Sequence, residues 1–160
     1  MNWKERANLI KFANPNRNID NVDRRIIKLF EEYGEIVEAY LGVTSTQNYK
    51  NKKDDDLREE IIDLYIVAMD VRFTFNLPEF ESSEDENVDF YDLLNKAPKY
   101  LAGIIDHDIN ALDNLINLLI FILSTNIATS SLHLNDEMIL AKLAKWNKQQ
   151  RTRHDDDNSR

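Results

Sequence analysis

No cysteine occurs in the 160 residues, so the chain forms no disulfide, carries no thiolate nucleophile and builds no zinc–thiolate site. Its three histidines, His107, His133 and His154, are dispersed, and they match neither a zinc spacing nor a serine–histidine pairing. Glycine and proline occur three times each, which leaves few turns and favours long helices over many short strands. Long apolar runs are also missing: Leu118 to Leu123 falls far short of the ~20 residues a membrane helix needs. The opening Met1-Asn-Trp-Lys-Glu-Arg begins no apolar leader, so a cytoplasmic protein is the expectation. Basic charge is outnumbered, and the net charge of -9 argues against affinity for a nucleic-acid polymer.

What remains is an ordinary globular composition, 42% hydrophobic, consistent with one all-α domain over residues 1–151 and a disordered tail over 152–160. A first helix is expected from Trp3 to Ala13, stopped at Asn14-Pro15 because the residue before proline is pushed out of helical geometry. A second starts from a cap at Asp20 or Asn21 and runs to about Leu41, with Gly42 as a left-handed end. Its apolar stripe reads Ile26, Phe30, Tyr33, Val37 and Tyr40, with Glu31, Glu35 and Glu38 opposite. A third is capped by Asp54 to Asp56 and closed by Pro78. A short helix, Phe90 to Lys96, then precedes Pro98, and a longer one spans Tyr100 to Ala128. The last runs from Glu137 to Gln150 behind a cap at Asn135 or Asp136. Together these make an antiparallel bundle of about five helices.

Two acidic clusters stand out. One is Glu31-Glu32-Tyr33-Gly34-Glu35 and the other Glu59-Glu60-Ile61-Ile62-Asp63. Residues three apart share a helical face, so Glu32 neighbours Glu35 and Glu60 neighbours Asp63. If the two helices face one another, the repulsion calls for a cation, and Mg²⁺, a hard ion with oxygen ligands, suits such a set. The competing reading is a solvated face for the first cluster and an ion pair with Arg58 or Arg72 for the second. Between Ile61 and Val71 only Asp63 and Asp70 are charged, and an acid in so apolar a helix needs a partner or a metal. Lys53 and its neighbours Lys50 and Lys52 either close over phosphates or remain solvated loop charges. Asp70 is either a salt-bridge partner for an arginine or, two turns beyond Asp63, an acceptor for a guanine edge.

Glu-Glu-Tyr-Gly-Glu followed by Glu-Ile-Ile-Asp, with 24 residues between Glu35 and Glu60, resembles the EExxE and ExxD signature of the all-α nucleoside triphosphate pyrophosphohydrolases, the superfamily of MazG and the dimeric dUTPases. The likeness covers Phe12 to Leu77 and resumes weakly from Glu137 to Arg151. It implies Mg²⁺, replaceable by Mn²⁺, held by Glu32, Glu35, Glu60 and Asp63, with Glu31, aided by Glu32, activating water. It further implies that Arg17 and Asn18 border the nucleotide and that Lys142 and Lys145 hold phosphate. This chain has Trp146 where similar proteins often carry an asparagine. The resemblance also implies a homodimer or homotetramer that cleaves a nucleoside triphosphate to monophosphate and pyrophosphate, as phage MazG-like enzymes do on dGTP or dATP pools. A pyrimidine enzyme of the dUTPase or dCTPase kind, and a non-catalytic helical bundle, are the alternatives. Asn110-Ala-Leu-Asp113 aligns with Glu60 to Asp63 as a degenerate repeat, more suited to packing than to a second metal site.

Overall fold

The computed structural model describes residues 1–14, 21–44, 54–81, 88–125 and 132–158. They form α1 (Trp3–Ala13), α2 (Val22–Thr44), α3 (Asp54–Thr74), α4 (Phe90–Ile105), α5 (Ile109–Ser124) and α6 (Leu132–Asn158), with no strand among the described residues. Asn2 starts α1 by a reciprocal cap: its side chain accepts the Glu5 amide at 2.8 Å, and the Glu5 carboxylate accepts the Asn2 amide at 2.7 Å. The helix stops at Asn14, whose φ of -125° and ψ of 79° suit the residue before Pro15.

Helices α2 and α3 pack antiparallel, so that Arg25 meets Asp70 near one end and Glu32 approaches Asp63 further along. Helices α4 and α5 form a second antiparallel hairpin, and α5 packs on α3 through the Arg72–Asp113 pair at 2.8 Å. The α2 and α4 helices run antiparallel, tied by His107–Asp23 at 3.1 Å and by the Tyr40–Phe90 ring stack at 4.4 Å. These four helices bury an apolar core drawn mainly from Ile61 to Val71 of α3 and Leu112 to Leu123 of α5. Helices α1 and α6 lie along α3 on the outside. No helix among the described residues is long and apolar enough to cross a membrane.

Four expectations need correction. Pro98 does not end a helix but lies inside α4. An interior proline takes away the amide that would bond the carbonyl four residues back, and here the Tyr33 hydroxyl donates to that carbonyl, Leu94 O, at 3.4 Å. The chain breaks instead at 106–108. There His107 adopts φ 61°, its amide donates to Ile104 O at 2.9 Å and the Asp108 amide to Gly103 O at 3.1 Å, closing α4. Asp108 then caps α5 through the amides of Asn110 and Ala111. Gly103 is required by the close crossing of this hairpin, since a Cβ there would meet Ala111 Cβ at 2.9 Å.

Gly42 likewise lies inside α2, and no described glycine has a positive φ. Asn135 and Asp136 are helical residues of α6, not its cap, and α6 continues to Asn158 across the segment expected to be a disordered tail. With no glycine or proline after Gly103, nothing in the sequence interrupts it. Finally, the buried row of α2 is Ile26, Leu29, Glu32, Ile36 and Ala39, whereas Phe30 is 39% exposed. That rotation turns Glu32 inward.

Candidate metal centre

Because Glu32 falls on the inward row of α2, it is 5% exposed and faces α3. From α3, Glu60 and Asp63 share one face by their three-residue spacing. Each of these three side chains offers a carboxylate oxygen, all within 4.8 Å of one another, the one such cluster of three among the described residues. Glu35, one turn beyond Glu32, is exposed, and its charge is among those that raise the Glu60 pKa. Three of the four residues expected as metal ligands are therefore brought into one group, and Glu35 stands outside it, near enough for its charge to act on Glu60.

The cost of concentrating these charges appears in their acidities. Burial, followed by the charges of Glu35 and Asp63, pushes the Glu60 carboxyl up to about 7. Burial also raises Glu32, against the pull of Lys28, and raises Asp63, against the pull of Lys142. Two lysines offset part of the negative charge. Lys28 of α2 lies 2.8 Å from Glu32 and 3.0 Å from Glu31. Lys142 of α6 donates to Asp63 and lies 2.8 Å from Glu59. Burial works to discharge Lys142, but its bonds to Asp63 and Glu59 outweigh that and hold its pKa above the ordinary lysine value.

The other expected residues separate from this group. Glu31 is exposed on the outer side of α2 and pairs with Lys28. Lys145 is exposed one turn past Lys142, and both line a depression of about 230 Å³ with Glu59, Met138 and Ala141. Asp70 does not reach this region. It is buried at the far end of α3, 3.3 Å from Arg25 and accepting from Asn14 at 3.2 Å, so its charge is met by an arginine of α2. The expected partners Arg58 and Arg72 have other acceptors, Arg58 donating to the neutral Asn135 side chain and Arg72 to Asp113, and the cation that meets Asp63 is Lys142. Arg17, Asn18 and Lys53 lie outside the described residues, as do Lys50 and Lys52.

No family model, curated protein or solved structure matches this chain. The site therefore stands on its own geometry. Sequence reasoning passed over Lys28 and Glu59 as members of it. Lys28 was legible, since it precedes Glu31 and Glu32 by three and four residues on one helix. Glu59 was not, because its role depends on where α6 delivers Lys142.

The donor set consists only of carboxylate oxygens, which suits Mg²⁺ or Mn²⁺ and disfavours soft, thiolate-seeking ions. Mg²⁺ bound at 2.0–2.1 Å sets its ligand oxygens roughly 3 to 4 Å apart. The 4.8 Å spread exceeds this by a margin that side-chain torsions span.

Proposed function

We propose that this chain is a MazG-like, divalent-cation-dependent hydrolase that cleaves deoxynucleoside triphosphates to monophosphate and pyrophosphate. The observation that carries the reading is the convergence of Glu32, Glu60 and Asp63 from two helices against an apolar core. Lys28 and Lys142 offset part of the charge of these three acids, and a divalent cation would offset the rest. The EExxE and ExxD spacing adds support, since it selects these same residues.

Glu32, Glu35, Glu60 and Asp63 would hold the ion. A divalent cation held there would supply charge neutralisation for the phosphates and would lower the pKa of the attacking water towards neutrality. The chain's own residues do the rest. Glu31, the residue the resemblance assigns to the attacking water, would have to leave Lys28 and reach round from the outer row of α2 to orient that water and accept its proton. Lys142, at the junction of α3 and α6, turns its ammonium from Asp63 and Glu59 towards the phosphates, and Lys145 extends that positive edge. No side chain need form a covalent bond to substrate. Asp70 takes no part in base selection on this reading, because Arg25 and Asn14 already satisfy it.

The test is to incubate the purified chain with each common NTP and dNTP and Mg²⁺ or Mn²⁺, and to identify the products. Monophosphate and pyrophosphate are expected, and the panel reports the base and sugar preferred. Glu60→Gln and Asp63→Asn should each lower turnover by at least about 100-fold, beyond the 10- to 100-fold typical of outer-shell changes. Release of orthophosphate, or turnover indifferent to both substitutions, overturns the proposal.

A further inference from the structure

Away from the acidic cluster, a groove of about 1090 Å³ opens between α1, the 76–81 segment and the end of α5, with α3 as its floor. Phe73 of that floor lies ten residues, about 15 Å, beyond Asp63. Trp3, Met69, Phe73, Phe80 and Phe121 give the groove an apolar and largely aromatic lining. Two buried arginines hold its walls in place. Arg6 stacks on the Trp3 ring at 4.2 Å and pairs with Asp136 at 2.7 Å, while the Trp3 indole N–H donates to Ser124 Oγ at 3.2 Å. Arg72 lies 5.3 Å from the centre of the Phe80 ring, pairs with Asp113 at 2.8 Å and donates to Pro78 O at 2.5 Å. An apolar groove between fixed walls, with a few polar groups at its edge, has the form of a small-molecule site.

The two edges of its mouth carry opposite charge. Lys4, Asn8 and Lys11 follow one row of α1, and Asn76, Glu79 and Glu81 form the other edge. Lys4 bridges the mouth to Glu79 at 2.7 Å, but both side chains are well exposed, so the pair adds little and exchanges readily. Lys11 lies 5.9 Å from the centre of the Phe73 ring, and its charge also acts on Glu79. In a chain of net charge -9 this mouth is balanced, lysines on one edge and glutamates on the other. A simple anion would meet the acids and a simple cation the lysines, whereas a molecule with one charge of each sign suits both edges. We propose that the groove binds a small aromatic zwitterion, either an aromatic amino acid or an aromatic dipeptide. Its ring lies on Phe73 and Phe121, where offset or edge-on contact is favourable. Its carboxylate takes Lys4 and Lys11 and its ammonium takes Glu79 and Glu81, so that one exposed ion pair is exchanged for pairs at both edges. The proposal is independent of any cation at the acidic cluster.

Titration of the isotope-labelled full chain with L-phenylalanine, and with the dipeptide of two L-phenylalanines, followed by NMR, is the test. The indole N–H signal of Trp3 should move and that of Trp146 should stay. A dissociation constant of roughly 1 mM is expected for a ligand the size of the amino acid, and the tighter of the two compounds identifies the source. Hydrocinnamate, which lacks the ammonium, and phenethylamine, which lacks the carboxylate, should each bind about tenfold more weakly. Lys4→Gln should narrow the gap between L-phenylalanine and phenethylamine, and Glu79→Gln the gap between L-phenylalanine and hydrocinnamate. A Trp3 signal that does not move, analogues of one charge that bind as well as the amino acid, or gaps that survive both substitutions overturn the proposal. A Trp3 signal that moves with dGTP and not with the zwitterions overturns it equally, and would make the groove part of the nucleotide site.

Discussion

Replacing Glu60 by glutamine removes one charge from the acidic cluster and keeps the shape of the side chain. Burial and the neighbouring carboxylates raise the Glu60 pKa from 4.5 to about 7 in the folded chain. A folded pKa above the unfolded one means that the stability tied to this group is fully present below about 4.5 and is lost as pH rises through about 7. At 1.36 kcal/mol per unit the face value is about 3 kcal/mol, but the side chain is only partly buried, so solvent screening reduces it to about 1 to 2 kcal/mol. Denaturant midpoints measured at about pH 5 and pH 8 without divalent ions therefore compare the two proteins. The wild type should give up about 1 to 2 kcal/mol relative to Glu60→Gln across that range. Adding Mg²⁺ at about 100 times its dissociation constant should return about 2.7 kcal/mol to the wild type, and less to the variant, which has lost a ligand. Parallel pH profiles, or an equal Mg²⁺ shift in both proteins, refute the electrostatic account of the cluster.

Tyr33→Phe should cost about 1 kcal/mol in chemical denaturation by leaving the Leu94 carbonyl without its donor. The loss should shrink in a Pro98→Ala background, where the missing amide returns. Gly103→Ala should destabilise by about 1 to 3 kcal/mol through the contact with Ala111, with part of the loss recovered by Ala111→Gly. Asp70→Asn should cost about 2 kcal/mol by leaving Arg25 without its counter-charge, and the order in which nucleotides are hydrolysed should stay the same. A changed order there would restore Asp70 to a role in reading the base.

Local signals were the legible ones. The bounds of α1 follow from the capping residue Asn2 and from Pro15, both adjacent in sequence. That Glu32 neighbours Glu35, and Glu60 neighbours Asp63, was readable from a three-residue spacing repeated in two helical runs, whereas the meeting of the two helices was implied only by the family resemblance. Pro98 misled because its missing hydrogen bond is compensated by a tyrosine 65 positions earlier, which no local pattern reveals. Phe30 misled because apolar residues occupy two adjacent rows of α2. Periodicity alone cannot decide which row meets the core and which meets another surface. Asp70 and Arg25, or Asp63 and Lys142, are pairings between elements distant in the chain, and residue spacing carries no information about them.

The position of Lys142 shows how far the site depends on contacts outside it. Helix α6 buries little apolar surface among its described residues: Ile139 and Leu143 are covered, and Met138 and Trp146 partly so. Its register is held instead by polar anchors. Asn135, fully buried, accepts from Arg58 and donates to Leu123 O at 2.8 Å, and Asp136 takes Arg6 at 2.7 Å and the N-terminal ammonium at 2.9 Å. Lys142 lies seven residues, about 10 Å, further along the same rigid helix, so these anchors set where its ammonium meets Asp63 and Glu59. Along α3 the matching residues are Arg58 for the anchor and Asp63 for the site, five positions apart, and the two helices run in the same direction. Weakening the anchor therefore changes the charge balance of the cluster without touching a carboxylate. An Asn135→Leu chain that stays folded should hold Lys142 less firmly and lose the lysine's offset at Asp63. Its Asp63 carboxyl, followed by NMR titration, should move up in pKa relative to the wild type. An unmoved titration would mean that α6 is placed by its few apolar contacts alone.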